Sequence, residues 1–437
     1  MNIALMTAII LVSLLAMLLM GLPVAFSLTG LFIIFTLVFL GPKALYAGYA
    51  AALHTATNDI LIAAPLFIFM ATLLQYSGVA SRLYDMMYKW FAGLRGGLAI
   101  GTVFMCTLIA AMTGLGGTGV VTMGYLAYPE MEKRGYDKTI SLGCIPAGGA
   151  LGPLIPPSVI MIVLGSFASL SVGRLFMGGL FPGLLMSFLF IVYIGIRCWR
   201  NPALAPALAP NERATWGEKM ISLRGVILPI ILIFLVLGTI YLGVATPSEA
   251  GGVGAFGALV CAAIYRQLNW KNLKEAVFTA IKVNAMVMWI VIGGHCFASL
   301  VVRTGISHFM SDTILGMGVS PMIILITMMI IALIMGMFID SIPIIMICIP
   351  IFVPIILELG IDPLWFALLF TISLIVGYIS PPFGMNLFYT KGIVPEHVAM
   401  GDIYRSVLPY VGLMLIVLIV SLLFPPLLLW LPGMMIK

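Results

Sequence analysis

Two proline pairs, Pro156-Pro157 and Pro381-Pro382, interrupt apolar segments, and each follows a glycine at the same spacing. The full motifs are Gly152-Pro153-Leu154-Ile155-Pro156-Pro157-Ser158 and Gly377-Tyr378-Ile379-Ser380-Pro381-Pro382-Phe383. Proline removes a backbone donor and clashes with the preceding turn, so each motif should split its helix and free carbonyls and amides. At membrane depth those groups need protein, water or a ligand as partner. Half-helix N-termini favour an anion and freed carbonyls favour Na⁺, so a split helix can take both with few charged side chains. Ser158 follows the first break and Ser380 and Asn386 flank the second, all three placed to offer polar side chains to a substrate.

Two further stretches carry comparable chemistry. Thr113-Gly114-Leu115-Gly116-Gly117-Thr118-Gly119 concentrates four glycines and two hydroxyls. Glycine lets backbone carbonyls turn toward an ion, and Thr113 and Thr118 add hydroxyl oxygens, so the stretch reads as a ligand site that includes Gly114 and Gly116. Close helix packing is the plainer use of such small residues. The corresponding place in the second half is Gly336-Met337-Phe338-Ile339-Asp340-Ser341, where Asp340 is the only charged residue between Asp312 and Glu358. A carboxylate at the centre of a membrane helix costs roughly 2.5–3.5 kcal/mol on insertion scales, and such residues are normally paired and functional. Asp340 and Ser341 are expected to bind a cation directly or through a neighbour, and also to cap the helix that Pro343 begins.

The elements that must position these residues are membrane helices. Of 437 residues, 62% are hydrophobic and 8% charged, with a mean hydropathy of +1.21. Soluble proteins carry roughly a quarter charged residues, so this is an all-α polytopic membrane protein. The first apolar stretch, Ile3 to Met20, has no basic start and reads as a retained span rather than a cleaved signal. The net charge of +6 does not indicate nucleic acid, because Lys and Arg gather in short loops as the positive-inside rule expects. The six cysteines are scattered singly, which supports neither a metal site nor a disulfide framework. No phosphate-binding Gly-Lys-Ser or Gly-Lys-Thr occurs, so the chain does not hydrolyse ATP.

Apolar windows on either side of Thr113 to Gly119, and of Asp340-Ser341, are too short to cross alone, since a crossing needs about 20 residues. They read as two re-entrant hairpins, leaving about ten or eleven true spans. The first hairpin opens onto Glu132-Lys133-Arg134 and Lys138, the second onto Glu358 and Asp362 without nearby Lys or Arg. Their bases are therefore expected on opposite sides, the first cytoplasmic. Landmarks repeat at a nearly constant offset: Gly78-Val79 and Gly305-Ile306 stand 227 residues apart, Gly135-Tyr136-Asp137 and Gly360-Ile361-Asp362 stand 225 apart, and Pro182 and Pro409 stand 227 apart. The chain thus divides into a first repeat (1–196, with its broken helix at 152–158), a cytoplasmic linker (197–224) and an inverted second repeat (225–437, broken at 377–383). Residues 81–94 and 307–315 read as interfacial helices joining outer spans to hairpins.

Other polar residues are weaker signals. Thr246-Pro247-Ser248-Glu249 reads as a capped helix start. His295 reads as bonded across a helix interface, although a proton relay is also open to it. Arg174, Lys282 and Arg303 lie near span ends, where they snorkel or fix topology.

The landmarks, in this order, resemble the large membrane subunit of tripartite ATP-independent periplasmic (TRAP) transporters. The resemblance rests on Gly-Pro-Leu-Ile-Pro-Pro-Ser (152–158), Thr-Pro-Ser-Glu-Ala (246–250), Gly-Met-Phe-Ile-Asp (336–340) and Pro-Pro-Phe-Gly-Met-Asn-Leu-Phe (381–388). It implies an elevator-type secondary transporter in the bacterial inner membrane, driven by Na⁺. It further implies a periplasmic substrate-binding protein and a small four-helix membrane subunit as partners. One Na⁺ site would lie between the first hairpin tip and the first break, using Thr113, Gly114 and the backbone of Gly152 to Pro156, Ile155 included. A second would join Asp340 and Ser341 to the Gly377 to Pro381 break, with Ser380, and substrate would sit between the tips. Many family members carry Ser-Gly-Ser at the first tip, where this chain has Thr113-Gly114-Leu115. A small organic anion, carboxylate or sulfonate, is the expected substrate. Two rival readings are a stand-alone broken-helix anion symporter and a proton-coupled carrier; a membrane enzyme would need a His cluster, paired carboxylates or a nucleophile arrangement, none of which the sequence offers.

Overall fold

A chain this apolar can satisfy its backbone in lipid only by helix formation, and the computed structural model, which describes residues 2–114 and 116–435, is helical throughout apart from turns and short 3₁₀ segments. The first half runs α1 (Ile3–Leu19), α2 (Val24–Phe39), α3 (Tyr46–Ala56), α4 (Ala63–Tyr76), α5 (Val79–Phe91), α6 (Gly97–Thr113), α7 (Gly116–Lys133), α8 (Lys138–Gly149), α9 (Val159–Phe167) and α10 (Val172–Arg200). A connecting segment carries α11 (Trp216–Leu223). The second half runs α12 (Ile227–Tyr241), α13 (Pro247–Ile264), α14 (Trp270–Arg303), α15 (Ile306–Gly316), α16 (Pro321–Phe338), α17 (Ser341–Glu358), α18 (Pro363–Tyr378), α19 (Met385–Ile393), α20 (Met400–Leu423) and α21 (Pro426–Gly433).

The same order of helices recurs. α5 and α15 begin 227 residues apart, at Val79 and Ile306; α7 and α17 begin 225 apart, at Gly116 and Ser341; and α9 and α19, each nine residues long, begin 226 apart. Local sequence sets many of these limits. α13 starts on a capping box, Thr246 with Glu249, behind Pro247, as its sequence suggests. α5 and α15 each start after a glycine in the left-handed region, Gly78 at φ 70° and Gly305 at φ 77°, which lets α5 turn 62° away from α4.

Packing sorts the helices into two groups. α4, α13 and α14 pack together, with α2 and α3 on α14 and α12 on α13. Hairpin α6–α7 packs with α8 and α10, hairpin α16–α17 with α18, and α20 bridges α8 and α18. Glycines permit the closest crossings. A Cβ on Gly377 would stand 2.7 Å from Gly336 Cα, so α16 and α18 touch backbone to backbone.

By length and apolarity, six helices of the described residues can cross a membrane alone, and two bent pairs raise the number to eight. Another four apolar helices (α1, α2, α6 and α18) have 16 or 17 residues, about 24–26 Å at 1.5 Å per residue. The count of ten or eleven crossings expected from hydropathy is therefore not reached by length alone. Windows such as 141–170 merge two short helices and the break between them. α10 continues to Arg200, and the connection to α11 starts at Asn201.

Candidate functional site

The first tip closes on itself before it meets anything else. Thr113 ends α6 with its hydroxyl donated to the Ile109 carbonyl at 2.8 Å, and Gly114 turns the chain at φ 62° with its N–H on Ala110 O, also 2.8 Å. Leu115 lies outside the described residues. A Cβ on Gly114 would stand 2.3 Å from the Pro157 carbonyl oxygen, so the tip rests directly on the first break. Gly116 meets the end of α8, where a Cβ would come 3.2 Å from Gly149 O, and a Cβ on Gly149 would come 3.1 Å from Gly116 O. Two of the tip glycines thus serve close packing, Gly114 against the first break and Gly116 against α8. Thr118 lines a small void together with Thr113, Gln75 of α4 and Ala80 of α5.

The first break, residues 150–158, is a chain of tight turns rather than an open strand. Leu154 and Ile155 N–H both reach Leu151 O, at 3.0 and 2.9 Å, and Gly152 N–H reaches Gly149 O at 3.3 Å. Ser158 is fully buried, donates to Pro153 O at 2.6 Å, and accepts from Met161 N–H at 3.3 Å as the N-cap of α9. An N-cap serine and short-range turns thus satisfy part of what the break frees, Gly149 O, Leu151 O and Pro153 O among it. The Ile155 side chain points at Gly183 of α10, leaving only its backbone to serve an ion.

The second tip is built from side chains. Ile339 is extended, and Asp340 caps α17 by accepting Ser341 N–H at 2.7 Å on the oxygen that also accepts the Tyr378 hydroxyl. Ser341 is fully buried, and its hydroxyl oxygen has no hydrogen-bond partner. A carboxylate and an unpartnered hydroxyl on adjacent residues form the hard oxygen set that suits an alkali or alkaline-earth cation. Among the described residues no three His, Cys, Asp or Glu side chains group as transition-metal ligands.

Gly377 lies inside the last turn of α18 rather than in the break, which runs over 379–384, and its carbonyl accepts Ser380 N–H at 3.0 Å. The Ser380 hydroxyl returns to Val376 O at 2.7 Å, and Tyr404 of α20 donates to Pro382 O at 2.5 Å. Both Pro-Pro bonds, 156–157 and 381–382, are cis.

The two sites are tied across the halves. Asn386, fully buried at the start of α19, donates its amide to Pro146 O of α8 at 3.2 Å and leaves its Oδ1 without a partner. Tyr389 of α19 lies over Gly117, where a Cβ would stand 2.7 Å from its ring, and is within electrostatic reach of Asp340. α9 in turn packs on α17. Each tip therefore meets the break of its own half, while the second part of each broken helix meets the hairpin of the other. Tyr378 and Tyr389 were missed at the level of sequence, where an aromatic in an apolar run reads as packing; a hydroxyl beside a helix break is the signal that could have marked them. His295, as expected, bonds across a helix interface, with Thr55 Oγ1 at 3.1 Å.

Residues 11–427 match the family described as tripartite ATP-independent periplasmic transporter, DctM component. The chain is 32% identical over 401 residues to the C4-dicarboxylate TRAP transporter large permease protein DctM of Pseudomonas aeruginosa, covering 91% of this chain and 92% of that one. It is 31% identical to the isethionate TRAP transporter permease protein DctMQ of Oleidesulfovibrio alaskensis, over 92% of this chain and 63% of the relative. Among solved structures it resembles the YdaH transporter of Alcanivorax borkumensis, with a TM-score of 0.60 at 16% identity and 88% of each chain covered. It also resembles MtrF of Neisseria gonorrhoeae, with a TM-score of 0.61 at 15% identity, over 90% of this chain and 85% of that one. Those two likenesses concern the fold alone.

Proposed function

The chain belongs to the DctM component family of the tripartite ATP-independent periplasmic transporters, and from that premise we propose that it carries a small organic anion across the bacterial inner membrane, coupled to Na⁺. It is a large permease subunit, a multi-pass membrane transporter and not an enzyme. The substrate is a carboxylate or sulfonate handed over by a periplasmic binding protein, and a small four-helix subunit completes the complex. Relatives named for C4-dicarboxylate and for isethionate, a sulfonate, support that chemical class.

The observation that carries the sodium reading is the pairing of the Asp340 carboxylate with the buried, unpartnered Ser341 hydroxyl at a helix break. Such a set favours a desolvated cation and costs several kcal/mol if left without one. The first tip supplies a second Na⁺ site from backbone carbonyls, Gly114 and Gly152 among them, and the Thr113 oxygen. The anion lies between the tips, near Gly116, Ser380 and Asn386. The repeats are inverted, and the group built on the hairpins slides as an elevator against the group built on α4, α13 and α14. Ser158, whose hydroxyl is occupied as a cap, stands outside this substrate set, while Thr118 shares a void with Thr113.

Reconstitution into liposomes with the binding protein and small subunit tests the reading. Uptake should require an inward Na⁺ gradient; equal uptake without one, or driven by a proton gradient alone, rejects sodium coupling.

A further inference from the structure

The connection between the halves is fastened to the first hairpin. Three backbone bonds leave residues 204–208 in opposite directions. Gly96 N–H donates to Ala205 O at 3.0 Å, Leu208 N–H donates to Ala92 O at 2.9 Å, and Asp137 N–H donates to Leu204 O at 2.8 Å. Ala92 and Gly96 form the joint between α5 and α6, and Asp137 the joint between α7 and α8, so one short stretch holds both feet of the hairpin. Ala205 and Leu208 are buried there. Arg134, at the foot of α7, donates to Glu130 at 2.6 Å, to Glu212 of the connection at 3.1 Å and to the Tyr88 hydroxyl of α5 at 2.5 Å. Trp90 of α5 donates to Lys219 O of α11 at 3.1 Å.

Among the described residues the second half has no such backbone strap; α15 is tied to α17 by side chains instead, Ser307 Oγ donating to Pro350 O at 3.1 Å and Ser311 Oγ to Glu358 at 2.8 Å. The joint between α15 and α16, residues 316–320, is exposed throughout, and a Cβ on Gly318, at φ 65°, would meet nothing within 4 Å. By contrast a Cβ on Gly96, at φ 73°, would meet Cys198 Sγ at 2.7 Å. The corresponding foot at Gly360 is likewise open.

We propose that residues 201–224 are a clasp that locks α5 to the first hairpin, so that this arm pivots at Gly78 rather than at the α5–α6 joint. Bonds on both faces of 204–208, together with the Arg134 hub, would all have to break for the α5–α6 joint to bend. The 62° turn at Gly78 is held by side chains alone, Asn272 Nδ2 donating to Tyr76 O at 3.3 Å and Arg82 lying over the Tyr265 ring at 4.6 Å, and is where the angle can change. The connection is therefore a mechanical part of the first hairpin rather than a passive tether. The inference rests on the proposal that the hairpin group slides against the α4–α13–α14 group.

Two cysteine pairs separate the two ideas, made in the full complex; the six native cysteines are buried and stay in place. Ala92→Cys with Leu208→Cys bridges the clasp. Asn58→Cys with Ser166→Cys bridges the sliding groups, where Asn58 now donates to Ser166 at 3.1 Å. Mass spectrometry follows the crosslink, and uptake is read before and after reduction. The clasp predicts that the 92–208 crosslink leaves at least half the uptake and that the 58–166 crosslink lowers it about tenfold or more, restored by reductant. A 92–208 crosslink that blocks uptake reversibly overturns the clasp. Full uptake with 58–166 crosslinked overturns the sliding mechanism instead. Hydrogen exchange on the unsubstituted protein judges the clasp without any crosslink: the amides of Gly96 and Asp137 should stay protected during turnover with Na⁺ and substrate. Exchange at the rate of an exposed loop overturns it.

Discussion

The two hairpin tips solve one problem with different chemistry. At the first, Gly114, Gly116 and the turns of 150–158 bring backbone to backbone, Ser158 is spent as the cap of α9, and Thr113 donates its proton to Ile109 O while its oxygen still faces the tip's chemistry. At the second, Asp340, Ser341 and Tyr378 form a side-chain cluster around a helix that needs fewer glycines. Backbone sites are sensitive to volume and conformation, because a carbonyl cannot move without the chain. Side-chain sites are sensitive to charge, because a desolvated carboxylate has few partners to share. The tips should therefore fail in different ways when altered.

The largest expected effect is at Asp340. Asp340→Ala removes the half-buried carboxylate of the second tip and a charge-assisted bond, a loss of about 3 kcal/mol in ion binding and on the order of 100-fold in uptake. Membrane insertion and yield should be unchanged, since the residue replaced is costly to bury. Normal Na⁺-driven uptake by this variant would remove the asymmetry between the tips.

Next comes Gly114→Ala. A left-handed φ costs roughly 1–2 kcal/mol for an L-residue, and the added carbon, 2.3 Å from the Pro157 carbonyl, meets backbone that cannot swing aside. Uptake should fall together with thermal stability in detergent. Gly117→Ala is its control, because that carbon meets the Tyr389 ring, which can rotate away. Equal losses at 114 and 117 would show that the first tip is governed by crowding alone rather than by its seat on the break.

Tyr378→Phe probes the second tip more gently. It keeps the ring and takes away the hydroxyl that orients Asp340, worth about 1.5–3 kcal/mol for a bond to a charged group. The Na⁺ concentration for half-maximal uptake should rise roughly tenfold with folding intact. No change in that concentration means the carboxylate is held by Ser341 N–H alone.

How far these differences were legible in the sequence depends on what carried them. Proline pairs, the glycine cluster and a lone aspartate announce themselves, because each violates what an apolar helix tolerates. Helix limits near caps, such as Thr246 to Glu249, were equally readable. Contacts that join distant residues through ordinary groups were not: Asn386 to Pro146, 240 residues apart, or the clasp of 204–208, are bonds to main-chain oxygens with no residue type to signal them. Hydropathy windows also hid the breaks they contained, as 141–170 does, and the Gly–Pro-Pro motif did not show that Gly377 still belongs to the last turn of α18.

The smallest effect is expected where sequence and structure differ on role. Ser158 was read as a substrate ligand, yet its hydroxyl spans Pro153 O and Met161 N–H as an N-cap. Ser158→Ala should cost about 1 kcal/mol of stability, with the affinity for Na⁺ and substrate unchanged, and Ser158→Thr should restore most of the loss because threonine also caps. The decisive comparison is stability against half-saturation in the same preparation. A tenfold loss of substrate affinity with no loss of stability would return Ser158 to the binding site and make the first tip a side-chain site like the second.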